Sequence, residues 1–193
     1  MATRNVPGTY ATIQAAVAAS VAGDTILVAA GYAGNESVSV TVNNLTFNAP
    51  SSVTGIVLTA AAGVQTINLA GGTSPIQVNG NAASNTFVGN GGNNVITDGG
   101  GGNDSISAGG GNDTITVTGG SDSVDGGAGT GDTLIIDYST AVAAVTAFDG
   151  SAYIGTGSVH GVSYFGIEHV QVTGGSGADS LAGGAGNDTL AGR

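Results

Sequence analysis

Four aspartates stand at nearly equal spacing: Asp104, Asp113, Asp122 and Asp132. Each follows a run rich in glycine and precedes, by two positions, a single large aliphatic residue: Ile106, Ile115, Val124 and Leu134. The stretch reads GGGGNDSIS, AGGGNDTIT, VTGGSDSVD and GGAGTGDTLI, a nine-residue unit written four times with one insertion in the last. If two units make one coil of a stack, Asp104 lies over Asp122 and Asp113 over Asp132. Neighbouring coils are about 4.8 Å apart, so the carboxylates crowd into columns. Like charges that close repel, raise one another's pKa and oppose folding unless something positive lies between them. The chain has no lysine, and its arginines are Arg4 and Arg193. The counter-charge must come from solution. Oxygen donors alone, with carbonyls freed by glycine turns and no cysteine, favour a hard cation, and calcium fits best.

The elements that position these aspartates follow from the same unit. Six turn-forming residues and three strand-forming ones cannot bury one apolar side chain alone, but stacked copies can. The fold class expected is therefore all-β: a right-handed parallel β-helix or β-roll solenoid with a short N-terminal capping α-helix. Two later units, GGSGADSLA (174–182) and GGAGNDTLA (183–191), repeat the pattern at every defined position. The unit resembles the GGxGxDxUx nonapeptide of the RTX, or haemolysin-type, calcium-binding repeat.

That resemblance implies several Ca2+ ions. Each takes the sixth-position carboxylate and two loop carbonyls from each of two stacked turns. One ion would use Gly100, Gly102 and Asp104 with Val117, Gly119 and Asp122. A second would use Gly109, Gly111 and Asp113 with Gly126, Ala128 and Asp132, across the insertion. A third joins Glu168, of the GIEHV run, to Gly175, Gly177 and Asp179. Asp188, with no turn after it, has at most half a site. GNAASNTFV (80–88) and GNGGNNVIT (89–97) keep the rhythm but place Asn85 and Asn94 where aspartate belongs. An amide offers one neutral oxygen, so an asparagine ladder that binds calcium weakly or not at all is expected there. Asp98 is one extra residue between these units and the strong ones.

Upstream, YATIQAAVAASVA (10–22) places Ile13, Val17 and Val21 on one helical stripe closed by Gly23. Short β-rich runs follow at 24–31, 37–42, 45–48, 53–58 and 65–69, broken by turn residues. The opening, residues 9–42, resembles the start of pectate-lyase-like parallel β-helix proteins, in which a helix plugs the end of the solenoid. Two regions are thus expected. Residues 1–79 form the cap and calcium-free coils. Residues 80–193 form the calcium roll, with an insert at 135–173 whose alternation reads as wider, aromatic-filled coils of the same solenoid.

Composition narrows the function. The net charge is −11, and of the 13 acids only Asp24 and Glu36 precede residue 98. Acidity concentrated in the repeats is a cation-binding device; it opposes nucleic acid and anionic membrane surfaces. No cysteine exists for a disulfide framework. No signal-like leader and no apolar run of about 18 residues is present, so no membrane insertion is expected. A lyase would need an internal Arg or Lys near its base, and a glycosidase two carboxylates flanking the bond; neither pattern occurs. His160 and His169 have no third soft ligand and read as surface or strand-end residues, and Asp125, Asp137 and Asp149 as solvated ones.

The function expected is non-catalytic. It is a calcium-stabilised, secreted structural module of cell-surface, surface-layer, adhesin or filament type, with self-association through the solenoid ends. The resemblance adds one-step export from a bacterial cell, and the halt at Gly192–Arg193, in mid-pattern, reads as part of something longer. The alternative is a non-catalytic calcium-binding module of a larger secreted polysaccharide-active enzyme, a lyase or epimerase. A weaker third reading is a carbohydrate- or ice-binding face, a cell-surface polysaccharide being one such partner, on hydroxyl ladders such as Thr114–Thr118.

Overall fold

The computed structural model describes residues 1–69, 71–148, 151–154, 160–183 and 186–192. Strand β1 (Thr3–Val6) and helix α1 (Ile13–Ala18) precede the first coil. Each coil then contributes one strand to each of two sheets. The first three are β2 (Thr25–Val28) with β3 (Glu36–Val40), β4 (Leu45–Asn48) with β5 (Ile56–Ala60), and β6 (Thr66–Asn68) with β7 (Ile76–Asn79). The next three are β8 (Thr86–Asn90) with β9 (Val95–Thr97), β10 (Ser105–Gly109) with β11 (Thr114–Val117), and β12 (Ser121–Asp125) with β13 (Thr133–Asp137). Strands β14 (Val145–Phe148), β15 (Ser151–Ile154), β16 (His160–Phe165), β17 (His169–Thr173), β18 (Ser180–Leu181) and β19 (Thr189–Ala191) complete the chain.

One sheet, here called A, runs β1-β2-β4-β6-β8-β10-β12-β16-β15-β14-β18; the other, B, runs β19-β17-β13-β11-β9-β7-β5-β3. The fold is an all-β parallel solenoid of about nine turns with one short helix. Both sheets cross residues 79–80 without a break, so what changes there is the turn chemistry, not the framework. Strand alternation sends every second side chain inward. The single apolar position of each repeat therefore builds two interior stacks. One is Ile67–Phe87–Ile106–Val124–Tyr164 and the other Val78–Ile96–Ile115–Leu134–Val170, all buried.

The cap is tied down by the only two acids of the first half. Thr12 caps α1 by accepting the Ala15 N–H at 3.1 Å. The Glu36 carboxylate accepts from Ile13 and Gln14 N–H at 3.0 and 2.8 Å and from the Tyr32 hydroxyl. Asp24 accepts from Arg4 Nε and Nη2 at 3.1 and 2.7 Å and from the N–H groups of Ala2 and Val21. These donors, the Ala2 N–H first, hold its pKa down at about 2.

The helix is shorter than the stripe predicts. It ends at Ala18, with Ala19 as its C-cap, and Val21 is 61% exposed. The Ser20 hydroxyl donates to the Ala16 carbonyl and Asp24 draws the Val21 N–H into a turn, so the chain leaves the helical path a turn early.

The insert departs from expectation more sharply. Strands occupy the regions expected, but β16-β15-β14 is an antiparallel meander, with Ala152 opposite Val162 and Ala147. Sheet A thus gains two strands that sheet B lacks, because β17 pairs directly with β19. Within the insert, β14 and β15 are a side hairpin in one sheet, whereas β16 and β17 continue the solenoid, stacked in parallel on β12 and β13. Residues 149, 150 and 155–159 lie outside the described residues.

Candidate metal centre

Strand register carries the aspartates into columns. Along sheet A, Ser105 pairs with Thr86 and with Ser123, which stacks the preceding residues Asn85, Asp104 and Asp122. Along sheet B, Thr114 pairs with Val95 and Thr133, stacking Asn94, Asp113 and Asp132.

Each carboxylate uses one oxygen as a rung. The Asn85 N–H donates to Asp104 Oδ1 at 2.6 Å and the Asp104 N–H to Asp122 Oδ1 at 2.9 Å. In the other column, Asn94 N–H donates to Asp113 Oδ1 and Asp113 N–H to Asp132 Oδ1, both at 2.7 Å. Asp179 and Asp188 take the Val145 and Val170 N–H in the same way, at 2.8 and 3.0 Å. The other oxygen is the chemically telling one. Oδ2 of Asp104, Asp113, Asp122, Asp132 and Asp179 is buried with no hydrogen-bond partner.

A buried carboxylate with an unpaired oxygen is costly, and without a cation it responds by holding its proton. Burial pushes Asp113 and Asp122 up to about 7 and raises Asp104 and Asp132 as well. Neighbouring acids add to this, Asp132 and Asp113, Asp104 and Asp122, and Glu168 and Asp132 being so coupled. A hard divalent cation is the group these oxygens fit. Among the described residues no cluster of three or more His, Cys, Asp or Glu occurs. Paired carboxylates leave the rest of a calcium shell to backbone carbonyls.

The predicted ligands fall into successive turns. Gly100, Gly102 and Asp104 lie on the segment between β9 and β10; Val117 ends β11, Gly119 is in the turn after it and Asp122 is in β12, with Gly119 lying against Gly101. A Cβ at Gly120 would meet the Gly102 carbonyl oxygen at 1.5 Å, and the φ of Gly120 is +95°, so glycine is obligatory for this approach. In the second set, the Ala128 N–H donates to the Gly109 carbonyl at 2.7 Å and the Gly111 N–H to the Ala128 carbonyl at 3.1 Å. Each carbonyl keeps a second lone pair. Gly126 is buried against the Gly166 carbonyl of the following coil. The insertion is absorbed before the aspartate: Gly131 packs on Asn112 while Asp132 keeps its rung.

The third predicted set is not brought together. Glu168 Oε2 accepts the Asp132 N–H at 2.9 Å, and the Glu168 carbonyl lies against Gly186, so Glu168 continues the sheet B column. Gly175 and Gly177 pack on Ala141, Ala143 and Ala144, and Asp179 serves the start of β14 in sheet A. The meander is the cause, because it changes which turn lies beneath the 174–179 loop.

The asparagine units are saturated by the protein itself. Asn81 Nδ2 donates to the Ala61 and Val64 carbonyls at 2.9 and 2.8 Å, and Asn85 Nδ2 to Val64 at 3.1 Å. Asn94 Nδ2 reaches Asn90 Oδ1, and Asn90 Nδ2 the Ser74 carbonyl at 3.0 Å. An amide supplies the donor that a carboxylate lacks, so no orphan oxygen results.

Sequence reasoning missed Asp98. It is fully buried, accepting the Gly100 N–H at 3.0 Å and the Thr118 N–H at 2.7 Å. Its signal was an aspartate two residues before a glycine N–H, the Asx-turn pattern. Asp137 makes a similar local bond to the Ser139 N–H; Asp149 lies outside the described residues.

Comparison with known families agrees with this geometry. The RTX calcium-binding nonapeptide repeat matches in four copies, over residues 79–101, 98–132 and 171–193. No curated protein and no solved structure matches the chain. The matched residues contain the stacked aspartates and their glycine turns, together with the asparagine units that precede them. Over those residues the chain is similar to the RTX calcium-binding nonapeptide repeat, and there the repeats form part of a parallel β-solenoid that stacks their aspartates in two columns.

Proposed function

We propose that this chain is a calcium-stabilised, non-catalytic structural module that works outside the cell. The observation that carries the reading is the set of buried, unpartnered Oδ2 atoms on Asp104, Asp113, Asp122, Asp132 and Asp179. One ion is held by Gly100, Gly102 and Asp104 with Val117, Gly119 and Asp122. A second is held by Gly109, Gly111 and Asp113 with Gly126, Ala128 and Asp132. Glu168 extends the second column. When bound, calcium supplies the positive charge that lets these carboxylates ionise while buried; the chain's own part is to fix two stacked turns with their oxygens facing one another. Repeats of this kind are typical of secreted bacterial proteins, which supports an extracellular site of action. The two acids of the first half, Asp24 and Glu36, are engaged in the cap, which supports a structural role over a catalytic one.

The ligand assignment is tested by calorimetric calcium titration of single variants. Asp104→Ala and Asp113→Ala should each lower the stoichiometry, whereas Asp137→Ala should leave it unchanged. Equal effects from all three would refute the assignment.

Self-association through the solenoid ends is part of the same proposal, as is a cell-surface polysaccharide for a partner. On sheet B the threonine ladder is short, since Val95 and Ile135 interrupt it. Sheet A carries a longer hydroxyl row, Thr66–Thr86–Ser105–Ser123–Ser163. Sedimentation velocity should show association that rises with protein concentration in calcium and reverses in EDTA. A monomer in both conditions at every concentration would end that part of the reading.

A further inference from the structure

The Asp104–Asp122 column stops abruptly. The strand stacked on β12 is β16, and the residue opposite Asp122 is Val162. Among the described residues no carboxylate of the next coil stands opposite Asp122, yet its Oδ2 is buried without a partner. A second orphan lies in the same part of the stack. Tyr138 is 1% exposed, and its hydroxyl is likewise buried and unpartnered. Buried tyrosine hydroxyls ordinarily find a partner, so an orphan calls for a cause.

The register brings Tyr138 to the end of the strand stacked on the one that leads into the Asp122 turn. Strands β11 and β13 pair with Val117 opposite Ile136. Tyr138 follows Ile136 by two residues, on the same inward face, where the chain leaves β13 beside the coil whose turn leads from β11 to Asp122. Its backbone is held there, with its N–H donating to the Thr173 carbonyl at 2.9 Å and its carbonyl accepting the Ala141 N–H at 2.8 Å. The carboxylates nearest in electrostatic effect are those of Asp122 and Asp98. Together with burial, the larger influence, they hold the phenol's proton in place. Asp98 already has both oxygens engaged by Gly100 and Thr118.

We infer that the Tyr138 hydroxyl belongs to the cation site at Asp122, closing its upper side in place of the aspartate that the next coil lacks. A neutral phenol suits the position. Its lone pair is an oxygen donor of the kind hard cations accept, and its proton can bond a ligating carboxylate. These are the two services that a water molecule would otherwise perform. The tyrosine ring also shields the site from solvent, which strengthens the electrostatic attraction within it. The inference rests on the calcium reading proposed above and names a group that the repeat pattern does not contain.

Tyr138→Phe is the decisive variant, because it keeps the ring and removes only the oxygen. Wild type and variant are compared by calorimetric calcium titration and by thermal melting in EDTA and in calcium. One ion should lose affinity by about tenfold, as outer-shell substitutions at metal sites commonly cost, while the remaining ions bind as before. In EDTA at pH 5, where protonated carboxyls keep the metal-free roll folded, the variant should melt at the same temperature as wild type or higher, since a buried unsatisfied hydroxyl has been removed. In calcium it should melt lower. This opposite response separates a site residue from a packing residue. Unchanged affinity with an unchanged calcium-induced rise in Tm would overturn the inference, and so would an equal loss of Tm in both conditions. A wild-type chain that binds no calcium would instead overturn the calcium reading itself, and this inference with it.

Discussion

At pH 8, chelation of calcium should melt the repeat half of the solenoid and leave the capped half folded. Residues 99–191 carry one large apolar residue in each nine-residue unit, and their glycines lose more backbone freedom on folding than any other residue. At that pH the buried carboxylates must also ionise, with unpartnered oxygens and with one another for neighbours. Each bound ion present at a thousandfold its dissociation constant contributes about 4 kcal/mol. Two ions therefore supply roughly 8 kcal/mol, as much as the entire stability of many domains. For a chain of this size that is about 15–30 °C in Tm. Residues 1–79 have a buried apolar stack, the α1 plug and the Arg4–Asp24 ion pair, none of which involves a metal ion. Circular dichroism should thus show partial loss of strand signal in EDTA, recovered with calcium. Magnesium should restore it poorly, because it keeps its waters and demands tighter geometry. An EDTA-insensitive spectrum and melting temperature would sink the expectation.

The metal-free roll should respond to pH in the direction opposite to ordinary acid denaturation. Asp113 and Asp122 are raised from 3.8 to about 7, so between those values the folded form binds more protons than the unfolded chain. Stability is then greatest below about pH 4 and falls as the pH rises through 7. Two such groups amount to an effect on the order of several kcal/mol. Asp24 runs the other way, since its stabilisation is present above 3.8 and lost as the pH falls through about 2. In EDTA, the roll unfolded at pH 8 should regain strand signal, and a melting transition, as the pH is lowered to 5. In saturating calcium that dependence should flatten, because the ion takes the place of the protons. A metal-free roll no more folded at pH 5 than at pH 8 would refute the burial of these carboxyls. Proton release on calcium binding, read from calorimetry in buffers of different ionisation enthalpy, is an independent check.

Much of this was legible in the residues, for a physical reason. A nine-residue period with one aspartate and one aliphatic residue fixes coil length, register and column together, so Asp104 over Asp122 and Asp113 over Asp132 required no further information. The insert was not legible in the same way. Alternating side chains look alike in parallel and antiparallel strands, so β14 and β15 could be placed on the chain but not in the sheet. Glu168 went astray for the same cause. Which of two columns an acid joins depends on how many strands lie between, and the insert altered that count. Tyr138 and Asp98 were hidden because neither occupies a repeat position; only the stacking of coils brings them within electrostatic reach of Asp122. Strand β1 was overlooked because Thr3–Val6 is short and gains its place solely by pairing with β2.

The meander has a consequence for how order spreads through the molecule. A solenoid is nearly a one-dimensional lattice in which each coil stabilises its neighbour. Along sheet B, β13, β17 and β19 are contiguous, and Asp132, Glu168 and Asp188 each take an N–H from the coil before. Along sheet A, two antiparallel strands stand between β16 and β18, and the carboxylate rungs skip from Asp122 to Asp179. Cooperativity therefore has an uninterrupted path on one edge and a fault on the other. The last coil inherits its order most directly through sheet B, so a break in the β13-β17-β19 ladder would uncouple it from the rest of the roll.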